Sequence, residues 1–156
     1  MNNCEVCPIL ACQNEKEDSI ILEAKRWRVV LDANQRFLGK MFVTLLQHKQ
    51  SLSELDSEDW HEFEAIVGKL ETAVNRAFSP SHFNWSCLMN IAAMNSQETH
   101  VHWHVHPRYA EKIEVNGEIF DDGQWYPRKE KVDHIVTKET EWIIAVKIKQ
   151  ALKACS

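Results

Sequence analysis

The sequence predicts an α+β fold with a mostly antiparallel sheet, a central helix and a C-terminal helix. Runs of β-branched and apolar residues lie on both sides of one long amphipathic stretch at about 57–78. An Asn116-Gly117 pair between two short apolar runs favours a tight hairpin. A chain of 156 residues is long enough to bury its own core, and we expect one domain over 1–156.

The first half of the chain predicts strands followed by a helix. Residues 20–32 predict one or two strands, and residues 40–47 predict the next. Ser57 is a candidate N-cap, and apolar residues recur at three- and four-residue spacing over 60–78, which predicts one buried helix face. The Ser-Pro-Ser segment at 79–81 ends this helix.

The second half predicts two strands, a hairpin and a last helix. Residues 83–93 predict a strand, and residues 100–106 predict a second one, which Pro107 ends or places near a sheet edge. The Asn-Gly turn predicts a hairpin over 113–120, and apolar spacing predicts a helix over about 138–152.

Charge and composition exclude several classes of protein. The net charge of −5 argues against a nucleic-acid partner, since such proteins usually present a basic face. The sequence has no apolar window long enough for a membrane span and no basic-then-apolar leader. Five cysteines without a leader do not suggest a disulfide framework. We therefore expect a cytoplasmic protein.

The strongest functional signal is a strand in which histidines alternate with apolar residues. The residues are His100, His102, His104 and His106, separated by Val101, Trp103 and Val105. Because strand side chains alternate between faces, the imidazoles are expected on one face and the apolar side chains in the core. Trp60, on the helix, is also expected in the core. Imidazoles act as nucleophile, acid, base or metal ligand near neutral pH, so this strand predicts a functional site.

This strand, with Pro107-Arg108-Tyr109 after it, resembles the signature of the histidine-triad (HIT) family. The likeness covers most of residues 1–109, including the helix at 57–78, and is weak from 110 to 156. It implies an enzyme that cleaves or transfers a nucleoside monophosphate from substrates of the form nucleoside-phosphate-X. Dinucleoside polyphosphates and nucleoside phosphoramidates are examples. The partners implied are a small nucleotide and a second copy of the chain in a homodimer.

The resemblance also implies roles for individual residues. His102 would be the nucleophile that attacks the α-phosphorus, through a nucleotidyl-histidine intermediate, and His104 would bond the phosphate or the leaving group. Asp32 would hold the ribose hydroxyls. Asn90 and Gln97 would contact phosphate through their amides, with Ser96 as a competing assignment. Turn or capping roles explain these three residues about equally well. No catalytic metal is required by this chemistry.

Two positions depart from the family pattern. Lys40 stands eight residues after Asp32, where many members carry a fourth histidine. A lysine there can still meet a phosphate as a point charge. His106 stands where an aliphatic residue is usual, and it either widens the polar pocket or binds metal.

A structural zinc site is also expected. Cys4 and Cys7 form a C-x-x-C pair, whose spacing lets two thiolates bind one tetrahedral ion. By resemblance to bacterial-type HIT proteins, His48 and His100 complete the site, and Cys12 is an alternative ligand. Four protein ligands close the coordination sphere, so this zinc would be structural.

Two rival functions remain at this stage. His104-Val-His106 followed by Glu111 approximates the metal cluster of a cupin-type β-barrel, although a long central helix is foreign to that fold. The second rival is a non-catalytic nucleotide-binding or sensing dimer, which Lys40 motivates.

Overall fold

The computed structural model describes residues 3–11, 17–123 and 133–154. The alternative zinc ligand Cys12 lies outside these residues. The described chain is a mixed α+β fold with a five-stranded antiparallel sheet of order β1-β2-β3-β5-β4, as predicted. The strands of this sheet are β1 Ile20–Glu23, β2 Trp27–Leu31, β3 Met41–Leu45, β4 His82–Ser86 and β5 His102–Arg108. The helices are α1 Val6–Ala11, α2 Ser57–Phe78, α3 Asn90–Met94 and α4 Lys138–Lys153.

One face of the sheet packs against α2 and forms the core. Val29, Val43 and Val105 are fully buried on this face, as the alternation along their strands predicts. Trp103 stacks on Phe63 of α2 with ring centroids 5.0 Å apart. The opposite face of the sheet carries the alternate residues of each strand, which in β5 are His102, His104 and His106. The predicted division of β5 into an apolar and an imidazole face is therefore present.

Helix α2 has the predicted bounds and buries Leu70, Val74 and Phe78 as predicted, but its cap and the position of Trp60 differ from the prediction. Asp56, not Ser57, is the N-cap, and it forms a capping box with Asp59. Trp60 was expected in the core but is 39% exposed, since the buried stripe runs through Ile66, Leu70, Ala73, Val74 and Phe78. The helix ends at Ser79, which adopts a left-handed conformation.

Two strand predictions need correction. The strand predicted over 83–93 ends at Ser86, and Asn90–Met94 forms the short helix α3. The strand predicted over 100–106 begins at His102 and continues through Pro107 to Arg108. Proline is tolerated there because β3 pairs with β5 only as far as Val105, so no neighbour needs the missing N–H.

The C-terminal part of the described chain matches the prediction closely. Strands β6 Ile113–Val115 and β7 Glu118–Phe120 form a hairpin. Both turn residues, Asn116 and Gly117, have positive φ, as a type I′ turn requires. Helix α4 packs against α2 and β1. Within the described residues, no helix has the length and hydropathy to cross a membrane.

Candidate active site and metal centre

The imidazoles of His102, His104 and His106 are half-buried and form a row along the face of β5 that points away from α2. Adjacent ring centroids are 5.0 Å apart for His102 and His104, and 5.9 Å apart for His104 and His106. Phe42, opposite His104 on β3, packs edge-on against the His104 ring, with ring centroids 4.9 Å apart. We call these three imidazoles the histidine row. It brings both predicted catalytic residues together.

His102 is held in one orientation by its own strand. Its Nδ1 lies 2.8 Å from the carbonyl oxygen of His100, so Nδ1–H donates to that oxygen. With the proton on Nδ1, the neutral ring carries its lone pair on Nε2. An oriented imidazole with a free Nε2 lone pair is a competent nucleophile.

His104 is kept neutral by its surroundings. Burial, together with the nearby charges of His102 and Lys40, lowers the pKa of His104 to about 4. A hydrogen bond to the backbone of Leu88 acts in the opposite direction. At neutral pH the ring therefore has one N–H donor and one acceptor nitrogen.

Asp32 and Lys40 form a half-buried ion pair beside the histidine row. Lys40 Nζ lies 2.6 Å from Asp32 Oδ2, and each side chain is 16% exposed. The other carboxylate oxygen, Asp32 Oδ1, accepts from the backbone N–H of Asn34 at 2.9 Å. Lys40 Nζ also lies 5.6 Å from the centroid of the Phe42 ring. Asp32 and Lys40, both predicted to bind substrate, therefore form one unit of two opposite charges.

The three other predicted phosphate contacts lie away from this unit. Asn90 begins α3 and is exposed, and Ser96 is exposed with a positive φ of 54°. Gln97 turns towards α1, where its Nε2 donates to Glu5 Oε1 at 2.7 Å. Within residues 3–11, 17–123 and 133–154, the structure gives none of these three side chains a hydrogen bond to the histidine row. Their roles stay predictions.

Four ligand atoms meet at the other end of β5 from His106. The Sγ atoms of Cys4 and Cys7 and a ring nitrogen each of His48 and His100 all lie within 4.8 Å of one another. The Nδ1 atoms of His48 and His100 are 3.3 Å apart. Cys7 Sγ lies 3.3 Å from His48 Nδ1 and 3.6 Å from His100 Nδ1, and Cys4 Sγ lies 3.6 Å from His100 Nδ1.

These separations fit a tetrahedral zinc ion. Zn–N bonds of about 2.1 Å and Zn–S bonds of about 2.3 Å put ligand atoms about 3.4 to 3.8 Å apart at the tetrahedral angle. His100 Nε2 lies 2.7 Å from the Leu45 carbonyl oxygen, so its N–H is used there and Nδ1 faces the cluster. Cys4 and His100 are buried. The fold thus brings the four predicted zinc ligands close together.

The surroundings of the cluster include two residues that the sequence did not single out. Glu98 places a carboxylate oxygen 3.7 Å from His48 Nε2, the nitrogen that would face away from a metal. Burial, together with the neighbouring Cys4 and Glu98, raises the pKa of Cys7 to about 11. Two adjacent thiols oppose each other's ionisation, and a divalent cation would remove that opposition. Only the fold brings Glu98 and Leu45 to this place.

The cupin alternative does not survive this arrangement. The fold is not a barrel, and Glu111 is exposed. Among the described residues, the one group of side chains placed to hold a metal consists of Cys4, Cys7, His48 and His100, without His104 or His106.

Comparison with known proteins agrees with this geometry. The HIT domain family matches residues 13–111, which is more than half of the chain. The chain belongs to the HIT family. No curated protein matches it significantly.

Similar solved structures span nearly the whole chain. A hypothetical histidine triad nucleotide-binding protein from Sulfolobus tokodaii is 17% identical, with a TM-score of 0.68 over 97% of this chain and 93% of that one. A zinc-bound histidine triad family protein from Mycobacterium smegmatis is 19% identical, with a TM-score of 0.62 over 98% and 97%. A Plasmodium falciparum diadenosine triphosphate hydrolase is 17% identical, with a TM-score of 0.62 over 89% and 79%. At these identities the likeness shows a shared fold.

Proposed function

We propose that this HIT protein is a nucleotide hydrolase or nucleotidyltransferase that acts on nucleoside-phosphate-X substrates. The observation that carries the proposal is the oriented His102 ring, whose Nδ1–H is fixed by the His100 carbonyl and whose Nε2 is left as the nucleophilic atom. The similar fold of a diadenosine triphosphate hydrolase supports this class of substrate, with dinucleoside polyphosphates and nucleoside phosphoramidates as candidates.

The reaction proceeds in two displacements. Nε2 of His102 attacks the α-phosphorus, a P–N bond forms, and the bond from phosphorus to X breaks. X departs with the electron pair of that bond and takes a proton from water, while the neutral His104 ring, beside His102, is placed to donate a hydrogen bond to a phosphate oxygen or to X. Water, or another acceptor in a transfer reaction, then attacks phosphorus, breaks the P–N bond and restores His102.

The Asp32–Lys40 pair would bind the rest of the nucleotide. Each oxygen of the Asp32 carboxylate has one partner and one remaining lone pair, so it can accept from two neighbouring sugar hydroxyls. Lys40 would place its charge near the phosphates, in the role of the fourth family histidine. Asn90, Ser96 and Gln97 would provide further phosphate contacts.

A structural zinc ion would be held by Cys4, Cys7, His48 and His100. The separations of the four ligand atoms and the hydrogen bond from His100 Nε2 to the Leu45 carbonyl oxygen support this assignment. When bound, the ion supplies positive charge that keeps both thiols deprotonated and ties α1 to the start of β5. The protein residues alone would carry the chemistry on phosphorus.

The remaining proposals concern the setting of the protein. A reduced C-x-x-C pair fits a cytoplasmic location. Membership of the HIT family supports a homodimer. We also propose that residues 1–156 form one domain.

The test compares wild type with His102→Ala on a panel of adenosine-phosphate-X compounds, with released nucleoside monophosphate as the readout. We expect release by wild type and its loss in the variant. His61→Ala, which removes an exposed histidine from α2, should behave as wild type. Equal release of nucleoside monophosphate by His102→Ala and His61→Ala would show that His102 is not the nucleophile. Tight nucleotide binding without any bond cleavage would favour the sensing dimer.

A further inference from the structure

His106 extends the histidine row by one residue, and its imidazole has an unused polar atom. Nε2 of His106 is buried and meets no hydrogen-bond partner within the described parts of the chain. Leaving a buried polar group without a partner costs free energy, and such groups in native proteins usually have a role. Phe37 covers the ring, with centroids 5.2 Å apart, and the Arg108 guanidinium lies 4.7 Å from the Phe37 centroid.

The position of His106 in the sheet indicates what its ring faces. Met41 pairs with Val105, so Lys40 and His106 come next in the same register, and Leu31 pairs with Met41, which puts Asp32 beside Lys40. These three residues therefore form one polar line across the end of the sheet. Neighbouring strands are about 4.8 Å apart, so the backbones of Asp32 and His106 are about 10 Å apart. Lys40 lies between them and is ion-paired with Asp32, so a sugar held by Asp32 would reach His106 across the Lys40 side chain.

The hydrogen-bonding chemistry of the two ends of this line is complementary. Asp32 can only accept, and a hydroxyl that donates to a carboxylate still offers its oxygen as an acceptor. Burial, helped by the charge of Lys40 and by His104, lowers the pKa of His106 to about 4, so the ring is neutral near pH 7. A neutral imidazole has one N–H to donate and no charge to compete with Lys40 for the phosphates.

We propose that His106 is a specificity-determining residue that hydrogen-bonds a sugar hydroxyl of the nucleotide held by Asp32. The proposal rests on the proposed function, because it assumes a nucleotide in this site. It makes His106 a selector for ribose over deoxyribose. It assigns no chemical step to His106, and the phosphorus chemistry stays with His102 and His104.

The test measures kcat/KM of wild type, His106→Leu and His106→Gln on the best nucleoside-phosphate-X substrate and on its 2′-deoxy and 3′-deoxy forms. A neutral hydrogen bond is worth roughly 3- to 10-fold in affinity. We expect the preference of wild type for one hydroxyl to fall by about that factor in His106→Leu. His106→Gln, which keeps a donor, should retain most of the preference.

The outcomes separate this inference from the proposed function. If wild type is active and its ribose preference is the same in all three proteins, His106 does not read the sugar and the inference fails alone. If His106→Leu loses activity equally on all three substrates, the residue is structural and the inference also fails. If wild type neither cleaves nor binds any nucleotide, both proposals fall together.

Discussion

The histidine row makes the stability of this protein depend on pH in a direction that the structure fixes. Burial lowers the pKa of His104 and of His106 from 6.5 to about 4. The unfolded chain therefore binds more protons than the folded chain between these two pH values. The contribution of these two histidines to the free energy of unfolding is fully present above pH 6.5 and is lost as the pH falls towards 4.

The size of the effect follows from the same shift. A shift from 6.5 to about 4 corresponds to about 3 kcal/mol per histidine for a fully buried group. His106 is only partly buried, so solvent screening reduces the contribution to about 1 to 2 kcal/mol. Replacing His106 by leucine removes this contribution. The difference in unfolding free energy between wild type and His106→Leu should therefore change by about 1 to 2 kcal/mol between pH 7 and pH 4.5.

Urea unfolding at several pH values measures this difference. The variant should lose less stability on acidification than wild type. Loss of the proposed zinc ion at low pH would affect both proteins alike, so it would cancel in the comparison. His61→Leu is the control, since His61 is exposed on α2 in the folded state and should leave the pH dependence unchanged. Parallel curves for wild type and His106→Leu would refute the reasoning that the ring is buried in its neutral form.

Two further predictions concern the metal centre and the charged pair. Cys7→Ser should abolish the binding of one zinc ion per chain, which metal analysis of the purified protein measures. The variant should also have a lower melting temperature, because α1 loses its attachment to the rest of the fold. If the variant still bound one zinc ion per chain, Cys7 would not be a ligand. Lys40→Met should raise KM for nucleotides roughly 10-fold with little change in kcat, because a charge-assisted contact is lost. Lys40→His should recover most of this loss, and an unchanged KM in Lys40→Met would show that Lys40 pairs only with Asp32.

The sequence predicted those features of the site that depend on strict alternation or close spacing. The alternation from His102 to His106 places their side chains on one face in any strand, so the row was predictable. The C-x-x-C pair identified two metal ligands, and family resemblance supplied His48 and His100. The bounds of α2 were predictable because its apolar residues repeat over 22 residues and a proline follows.

Features that depend on tertiary contacts were not predictable. Helix α3 was predicted as strand because five residues are too few to show a helical period, and its apolar residues Ile91 and Met94 are exposed rather than buried. Trp60 was expected in the core, but the buried stripe of α2 follows Ile66 and Leu70. The Asp32–Lys40 ion pair depends on how a loop closes between β2 and β3, which local patterns do not encode.

The metal centre has a consequence for the order in which the protein matures. Its four proposed ligands come from three separate parts of the chain, and Cys4 and His100 are separated by 96 residues. During synthesis the cysteine pair leaves the ribosome first. The set of four ligands is complete only after β3 and then the start of β5 have left the ribosome. A metal held by all four ligands would therefore be acquired late, when the strand that carries His102 is already present. The strand that carries the proposed nucleophile and the proposed metal centre would then be completed at the same stage of synthesis.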